Sequence, residues 1–251
     1  MLNYSEYGEG GTRAVVIVHG LYGSGRNWGV IAKRLAADTR VITVDMRNHG
    51  HSPRTETHTY DDMATDLAEL ITHLGGPVHV VGHSMGGKAS MMLALTRPDL
   101  VDRLIVADIA PVSYSHSQIQ YIEAMRAVDL SMVTRRSEAE SQLAEQGVEP
   151  ALCSFFTQSL DVPGKTWRLN LDTLAAEMDK ILGFPATDAR FDGETLFLSG
   201  AASDYVLPDH RPGIRRLFPQ SHFAKLRGAG HWLHAEKPRE FEAAVRTFLG
   251  L

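Results

Sequence analysis

Two rhythms of apolar and polar positions alternate along the first 110 residues of the chain. Arg13-Ala-Val-Val-Ile-Val18 is a continuous β-branched run, the pattern of a strand covered on both faces. Arg40–Asp45, Pro77–Gly82 and Arg103–Asp108 read the same way. Between the runs the spacing turns helical. Met63, Leu67, Leu70, Ile71 and Leu74 share one face, with Thr59 as N-cap and Gly75 just past the end. Strands that alternate with helices need crossover connections, and these build a mostly parallel sheet.

From Pro111 to Phe191 the alternation stops and helices are expected. Leu152, Phe155, Phe156, Ser159 and Leu160 fit one helix face, with Pro150 in the first turn. Val162-Pro-Gly-Lys165 reads as a type II turn. Asn170 caps a helix with Leu171, Leu174, Ala175, Met178, Ile181 and Leu182 on one side, ended by Gly183 and Pro185. Residues 134–146 are polar and read as a solvated helix. A strand at Glu194–Ser199, a helix near 209–218, a strand near His222–Arg227 and a last helix near 238–249 resume the alternation. The expected organisation is an α/β core from residues 1–110 and 191–251, with residues 111–190 inserted as a helical cap over one end of the sheet.

Composition narrows the function classes. With 251 residues, 43% apolar and 22% charged, the chain can bury a full core. The net charge of −5 gives no electrostatic drive toward nucleic acid or anionic membrane. The longest apolar runs are about five residues, whereas a membrane span needs ~20. The N-terminus lacks the basic and apolar regions of a secretory signal, so the cytoplasm is the expected compartment. The single cysteine, Cys153, reads as a small buried hydrophobe. His49-Gly-His51 and His231-x-x-His234 lack the carboxylate and third ligand of a zinc site, so no metal is expected.

The strongest chemical signal is Val80-Val-Gly-His-Ser-Met-Gly-Gly87. It holds Gly82-x-Ser84-x-Gly86 between an expected strand and a helical run. Composition alone yields that spacing roughly once in ten such chains, taking Gly and Ser at ~7% each. Its place at a strand-to-helix junction gives it weight, because a sharp turn there strains the serine backbone and lifts Oγ clear of the sheet. The following helix aims N–H groups at the same spot, which favours developing negative charge. The hydroxyl needs a base. His231 lies between the last expected strand and the last helix, at the same carboxyl edge of the sheet. His234 sits closer to the helix start and reads as a packing or capping residue. Two backbone N–H groups are candidates for an oxyanion hole: that of Met85, after the serine, and that of Leu21 in the loop His19-Gly-Leu-Tyr-Gly-Ser24.

On spacing alone the acid stays open. Asp108 ends the strand expected beside the nucleophile strand, ~4.8 Å away. The loop Ser199-Gly-Ala-Ala-Ser-Asp-Tyr-Val206 puts Ser203 where an acid is usual, with Asp204 one place later. A carboxylate orients the imidazole and stabilises its cation, whereas a serine does only the first. Other polar residues have quieter readings. Asp45, Arg47 and Asn48 fix a turn, Trp167 and Arg168 anchor the cap, and Tyr205 and Trp232 flank the catalytic loops.

On these stretches the chain resembles the YbfF-type esterases of the α/β-hydrolase superfamily and their mitochondrial abhydrolase-domain relatives. The resemblance rests on Val18-His-Gly-Leu-Tyr-Gly-Ser24, Gly82–Ala89, Trp167-Arg-Leu-Asn170, Ser203-Asp-Tyr-Val206 and Gly230–Pro238. Val44–Gly50 and Asp108-Ile-Ala-Pro-Val112 are more particular to this branch. It implies the α/β-hydrolase fold, a mostly parallel central sheet with helices on both faces and an inserted helical cap. It also implies an esterase or thioesterase acting on small to medium acyl substrates, without metal or organic cofactor. Asp108 would supply the carboxylate, with Ser203 as an extra hydrogen-bonding member; where many relatives have another residue before Tyr205 this chain has Asp204, which keeps a second acid within reach.

The expected partner is therefore a small-molecule acyl ester or thioester. Rivals on the same machinery are a C–C bond hydrolase and a perhydrolase. A rival of another class is a non-catalytic hydrolase-fold protein that only binds a ligand. Dehalogenases and epoxide hydrolases need a carboxylate where Ser84 stands.

Overall fold

The computed structural model describes residues 1–10 and 13–251. Its strands are β1 (Tyr4–Tyr7), β2 (Val15–Val18), β3 (Val41–Val44), β4 (Val78–His83), β5 (Val101–Ala107), β6 (Leu160–Asp161), β7 (Thr166–Trp167), β8 (Thr195–Gly200) and β9 (Ser221–Leu226). Seven of them form one sheet in the order β1-β3-β2-β4-β5-β8-β9, while β6 and β7 pair apart from it. All neighbours in the sheet run parallel except β1, which pairs antiparallel with β3.

The helices are α1 (Gly29–Leu35), α2 (Tyr60–His73), α3 (Met85–Thr96), α4 (Ile119–Ala127), α5 (Arg136–Glu145), α6 (Pro150–Thr157), α7 (Leu171–Ala176), α8 (Met178–Leu182), α9 (Arg211–Leu217), α10 (Leu233–Glu236) and α11 (Pro238–Leu249). They explain the unbroken apolar strands. Val15 and Ile17 of β2 pack with Ile31, Leu35, Phe241 and Val245 under α1 and α11. Val16 and Val18, pointing the other way, pack with Met63, Leu67 and Met91 under α2 and α3. With both faces covered, there is no position in β2 for a polar side chain, and all four residues are fully buried. Thr59 caps α2 as expected: its hydroxyl accepts from the N–H of Asp62, and Gly75 follows the helix at φ 83°. No described helix is long and apolar enough to cross a membrane.

Between β5 and β8 the chain adds α4 to α8 and the β6–β7 ribbon, and no described strand there joins the central sheet. Four local expectations change here. The face drawn through Ser159 and Leu160 is not helical beyond Thr157; the chain turns into β6. In the ribbon's turn Gly164 stays out of the left-handed region and Lys165 takes φ 51°, so the turn is not type II. The helix expected over 171–182 is two, broken at Glu177. Glu177 is buried, and its carboxylate accepts from the backbone N–H of His58 in the core. Asn170 does not cap α7 through its side chain. That amide donates to Asn48 Oδ1 (3.0 Å) and Thr55 O (3.2 Å), tying the segment to the loop after β3.

Candidate active site

Ser84 occupies the turn between β4 and α3 at φ 52°, ψ −120°. That conformation is costly for a residue with a Cβ, of order 1–3 kcal/mol, and persists only where the surroundings impose it. The imposition comes from close packing. A Cβ on Gly86 would sit 2.5 Å from Val18 O and against His19 O, so only glycine lets α3 start this near β2. The N–H of Ser84 donates to Ala107 O of β5 (3.0 Å), which fixes the turn from the other side.

His231 reaches the same point from the loop between β9 and α10. Its Nε2 lies 3.0 Å from Ser84 Oγ and its Nδ1 lies 2.8 Å from Asp108 Oδ2. With Nδ1–H donating to the carboxylate, Nε2 keeps a lone pair for the serine hydroxyl. Asp108 follows β5 at φ 52°, in the left-handed region that aspartate tolerates. It is fully buried, and three donors satisfy it: His231 Nδ1–H, the Gly200 N–H (3.0 Å) and the Ser203 hydroxyl (2.5 Å). Asp204 is exposed, and Asp108 occupies the Nδ1 side of the ring. The structure thus brings Ser84, His231, Asp108 and Ser203 into one hydrogen-bonded line and leaves Asp204 outside it.

The Leu21 loop is held by its carbonyls. Gly20 O accepts from His19 Nδ1–H (2.8 Å) and from the Gly23 N–H (3.0 Å). In a trans peptide the next N–H, that of Leu21, points the opposite way. Leu21 and Met85 both line a cavity of about 330 Å³ that also exposes Ser84 and His231. Its far wall includes Leu152, Phe155 and Ile181, from α6 and α8.

The quieter readings hold in part. Asp45 does fix its turn, accepting from the N–H groups of Gly25 (2.8 Å) and His51 (2.9 Å). His234 packs: it is buried and stacked on Trp28 at 4.0 Å between ring centroids. Cys153 is buried, as expected of a lone cysteine.

Several neighbours carry no motif of their own. His83 donates from Nε2 to the backbone carbonyl of His231 (2.8 Å), so the residue before the serine holds the His231 loop. Burial, then the nearby His234, keeps His83 well below the ordinary imidazole range and hence neutral. Lys88, one turn beyond Ser84, donates to Leu182 O (2.8 Å) and Gly183 O (2.6 Å) at the end of α8. Burial pushes its pKa down to about 7. Tyr205 stacks on His231 at 4.1 Å and 22°. The sequence signals for these residues are nearness to Ser84 or Ser203 and membership of the stretches Gly82–Ala89 and Ser203–Val206, and neither signal gives the contacts.

Comparison with known proteins identifies the family. The model of the alpha/beta hydrolase family matches residues 15–244. The chain is 46% identical to the mouse sn-1-specific diacylglycerol lipase ABHD11, covering 94% of this chain and 80% of that one. It is 38% identical to esterase YbfF of Escherichia coli, covering 94% and 92%. A solved marine microorganism esterase superposes with a TM-score of 0.92 at 35% identity, covering 98% of each chain. The chain belongs to the alpha/beta hydrolase family, in the branch that holds ABHD11 and YbfF, and is a hydrolase of that fold.

Proposed function

We propose that the protein is a serine carboxylesterase or thioesterase of small to medium acyl substrates, working through an acyl-enzyme. The observation that carries this reading is the unbroken line from Ser84 Oγ through His231 to buried Asp108, at 3.0 Å and 2.8 Å. The relatives' names, a diacylglycerol lipase and an esterase, both describe cleavage of carboxylic esters.

In this mechanism His231 Nε2 takes the proton of Ser84 as Oγ bonds to the carbonyl carbon. The carbonyl π pair moves onto oxygen, and the N–H groups of Leu21 and Met85 receive that oxyanion. Each such donor is worth about 3 kcal/mol. Collapse of the intermediate expels the alkoxide or thiolate, which takes the proton from His231. Water then adds to the acyl-serine with His231 again as base, releasing the acid and restoring Ser84. Asp108 keeps Nδ1 protonated and stabilises the transient imidazolium, while Ser203 and Gly200 hold its carboxylate in place.

The helices between β5 and β8 act as a cap, closing a cavity whose volume is at the small end for ligand sites. That favours short and medium acyl groups.

Fluorophosphonate labelling tests the reading, with stoichiometric modification expected at Ser84. Ser84→Ala should lose at least ~10⁴-fold in ester turnover. Near-full activity in that variant would refute the assignment. Asp108→Asn should cost far more than Asp204→Asn, and the reverse order would move the acid to residue 204. A chain-length series of acyl esters and acyl-CoA thioesters then ranks the substrates.

A further inference from the structure

We propose that Tyr205 is a positioning residue for the base: its ring holds the His231 imidazole in the plane that meets both Ser84 and Asp108. This rests on His231 acting as the base.

Two hydrogen bonds aim the nitrogens of the imidazole, but hydrogen bonds tolerate about 30° of misalignment, so the ring can still rock about its side-chain torsions. A flat surface against the ring face removes that freedom. Tyr205 supplies it, with centroids 4.1 Å apart and planes at 22°. His83 also lies near, at 4.8 Å, but at 44° it is no parallel support.

Tyr205 is itself held along its whole length. Its N–H donates to Ser203 Oγ (3.3 Å), and its carbonyl accepts from the Tyr114 hydroxyl (2.7 Å). Its own hydroxyl is hydrogen-bonded to His116 Nε2 (2.7 Å). Burial raises the phenol to about 12, so it stays protonated across the working pH range. Tyr114 and His116 belong to the chain just after β5, so the cap segment braces the support of the base.

The ring has an electronic effect as well. When Ser84 attacks, His231 becomes a cation facing an aromatic face, which attracts it. The titratable groups around His231 are Asp108, His83 and His234, with Asp204 exposed on Tyr205's own loop and the Glu236 carboxylate accepting from the adjoining Gly230 N–H, while the Trp232 ring makes a T-shaped contact at 5.7 Å. Burial keeps His83 and His234 neutral, so Asp108 and the Tyr205 ring face are the nearest features that favour the imidazolium. Removing the ring withdraws that attraction, so the acid limb of the pH–rate profile is expected to move to lower pH.

Tyr205→Phe and Tyr205→Leu separate the possibilities, with p-nitrophenyl acetate as a substrate too small to fill the cavity. Fluorophosphonate titration counts intact sites in each preparation. Tyr205→Leu should lower kcat by roughly tenfold to 100-fold with KM little changed, and shift the acid limb down. Tyr205→Phe should keep most of kcat and the wild-type limb. Tyr205→Met replaces Leu in the comparison if the latter does not fold.

The proposal fails if the aliphatic variant matches Phe in kcat and limb, or if only KM changes, since Tyr205 is then merely pocket wall. It also fails if Phe is as damaged as Leu. An unlabelled wild-type enzyme, or an active Ser84→Ala, would instead bring down the serine-esterase reading itself.

Discussion

The two sides of the cavity are assembled by different means. On the sheet side, backbone lies against backbone. The site of a Cβ on Gly86 is filled by Val18 and His19 carbonyls, and that of a Cβ on Gly200 by those of Ala229 and Gly230. On the cap side, long side chains of the core reach out to carbonyls. Besides Lys88, Tyr60 donates its hydroxyl to Ile181 O (2.6 Å) and Arg54 donates to Trp167 O (2.8 Å). Backbone in contact cannot shift by a few tenths of an ångström without moving a strand. A lysine or arginine can adjust its rotamer while keeping its bond. The side that carries Ser84, His231 and Asp108 is therefore rigid, and the side formed by the inserted helices has slack.

Gly86→Ala is the harshest way to probe that contrast. The added methyl meets only backbone, so α3 must withdraw from β2 and carry Ser84 with it. A loss of at least ~100-fold in turnover is expected, since small misplacements of reacting groups cost that much. Asn170→Ala, which removes a polar anchor of the cap, should cost less than about tenfold. Equal losses, measured on one short ester, would erase the distinction.

Acid should strike the sheet side next. His58 and His234 are pushed down to about 3 by burial, and burial also lowers His19, His49 and His83. A histidine depressed in the folded state binds its proton more readily when unfolded. Its contribution to stability is whole above pH ~6.5 and drains away as pH falls toward the folded value. At pH 5, His58 and His234 together should have cost about 4 kcal/mol, a fall of about 10 °C in Tm. Thermal unfolding from pH 7 to pH 5 measures it, and His58→Gln should flatten the slope. A Tm that stays level over this range would mean that these rings take up protons in the fold.

The same contrast governs how much of the molecule is legible in its sequence. Sheet-side features leave local traces: Val15–Val18 is apolar on every position because both faces are covered, and Ser84 is flanked by glycines because only they permit the turn. The cap's details do not. Glu177 breaks a helix whose apolar spacing runs on unbroken, because its carboxylate answers a core N–H that lies 119 residues away. Tyr4–Tyr7 pairs at the sheet edge with exposed and half-buried side chains, so no apolar run marks it as a strand. Spacing does not separate Asp108 from Asp204, since the choice turns on which loop bends inward over His231. Tyr205 meets His231 through the folding of two separate loops, and neither sequence contains the stack.

Lys88→Met is the gentlest test, and it falls on the seam between the two sides. The ammonium is buried with carbonyls as partners and the Tyr114 ring 4.8 Å from it. The variant keeps the length of the side chain and loses both hydrogen bonds, each worth about 1.5–3 kcal/mol to a charged group. It also escapes the cost of burying the charge, so the net change at pH 7 should be small. The pH dependence is more telling. Because the folded value is about 7 and the unfolded one about 10.4, the unfolded chain holds more protons between them, and wild-type stability gains with rising pH. From pH 7 to pH 9 the Tm of wild type relative to Lys88→Met should therefore rise by several degrees, while below pH 7 the difference stays constant. A pH-independent difference would mean that the amine is not desolvated. Turnover of a short ester should change by less than about tenfold, because Ser84 is held by β4 and β5 and not by this lysine. A collapse of labelling at Ser84 would show that the cap's pin also sets the nucleophile, and the two sides would then be one mechanical unit.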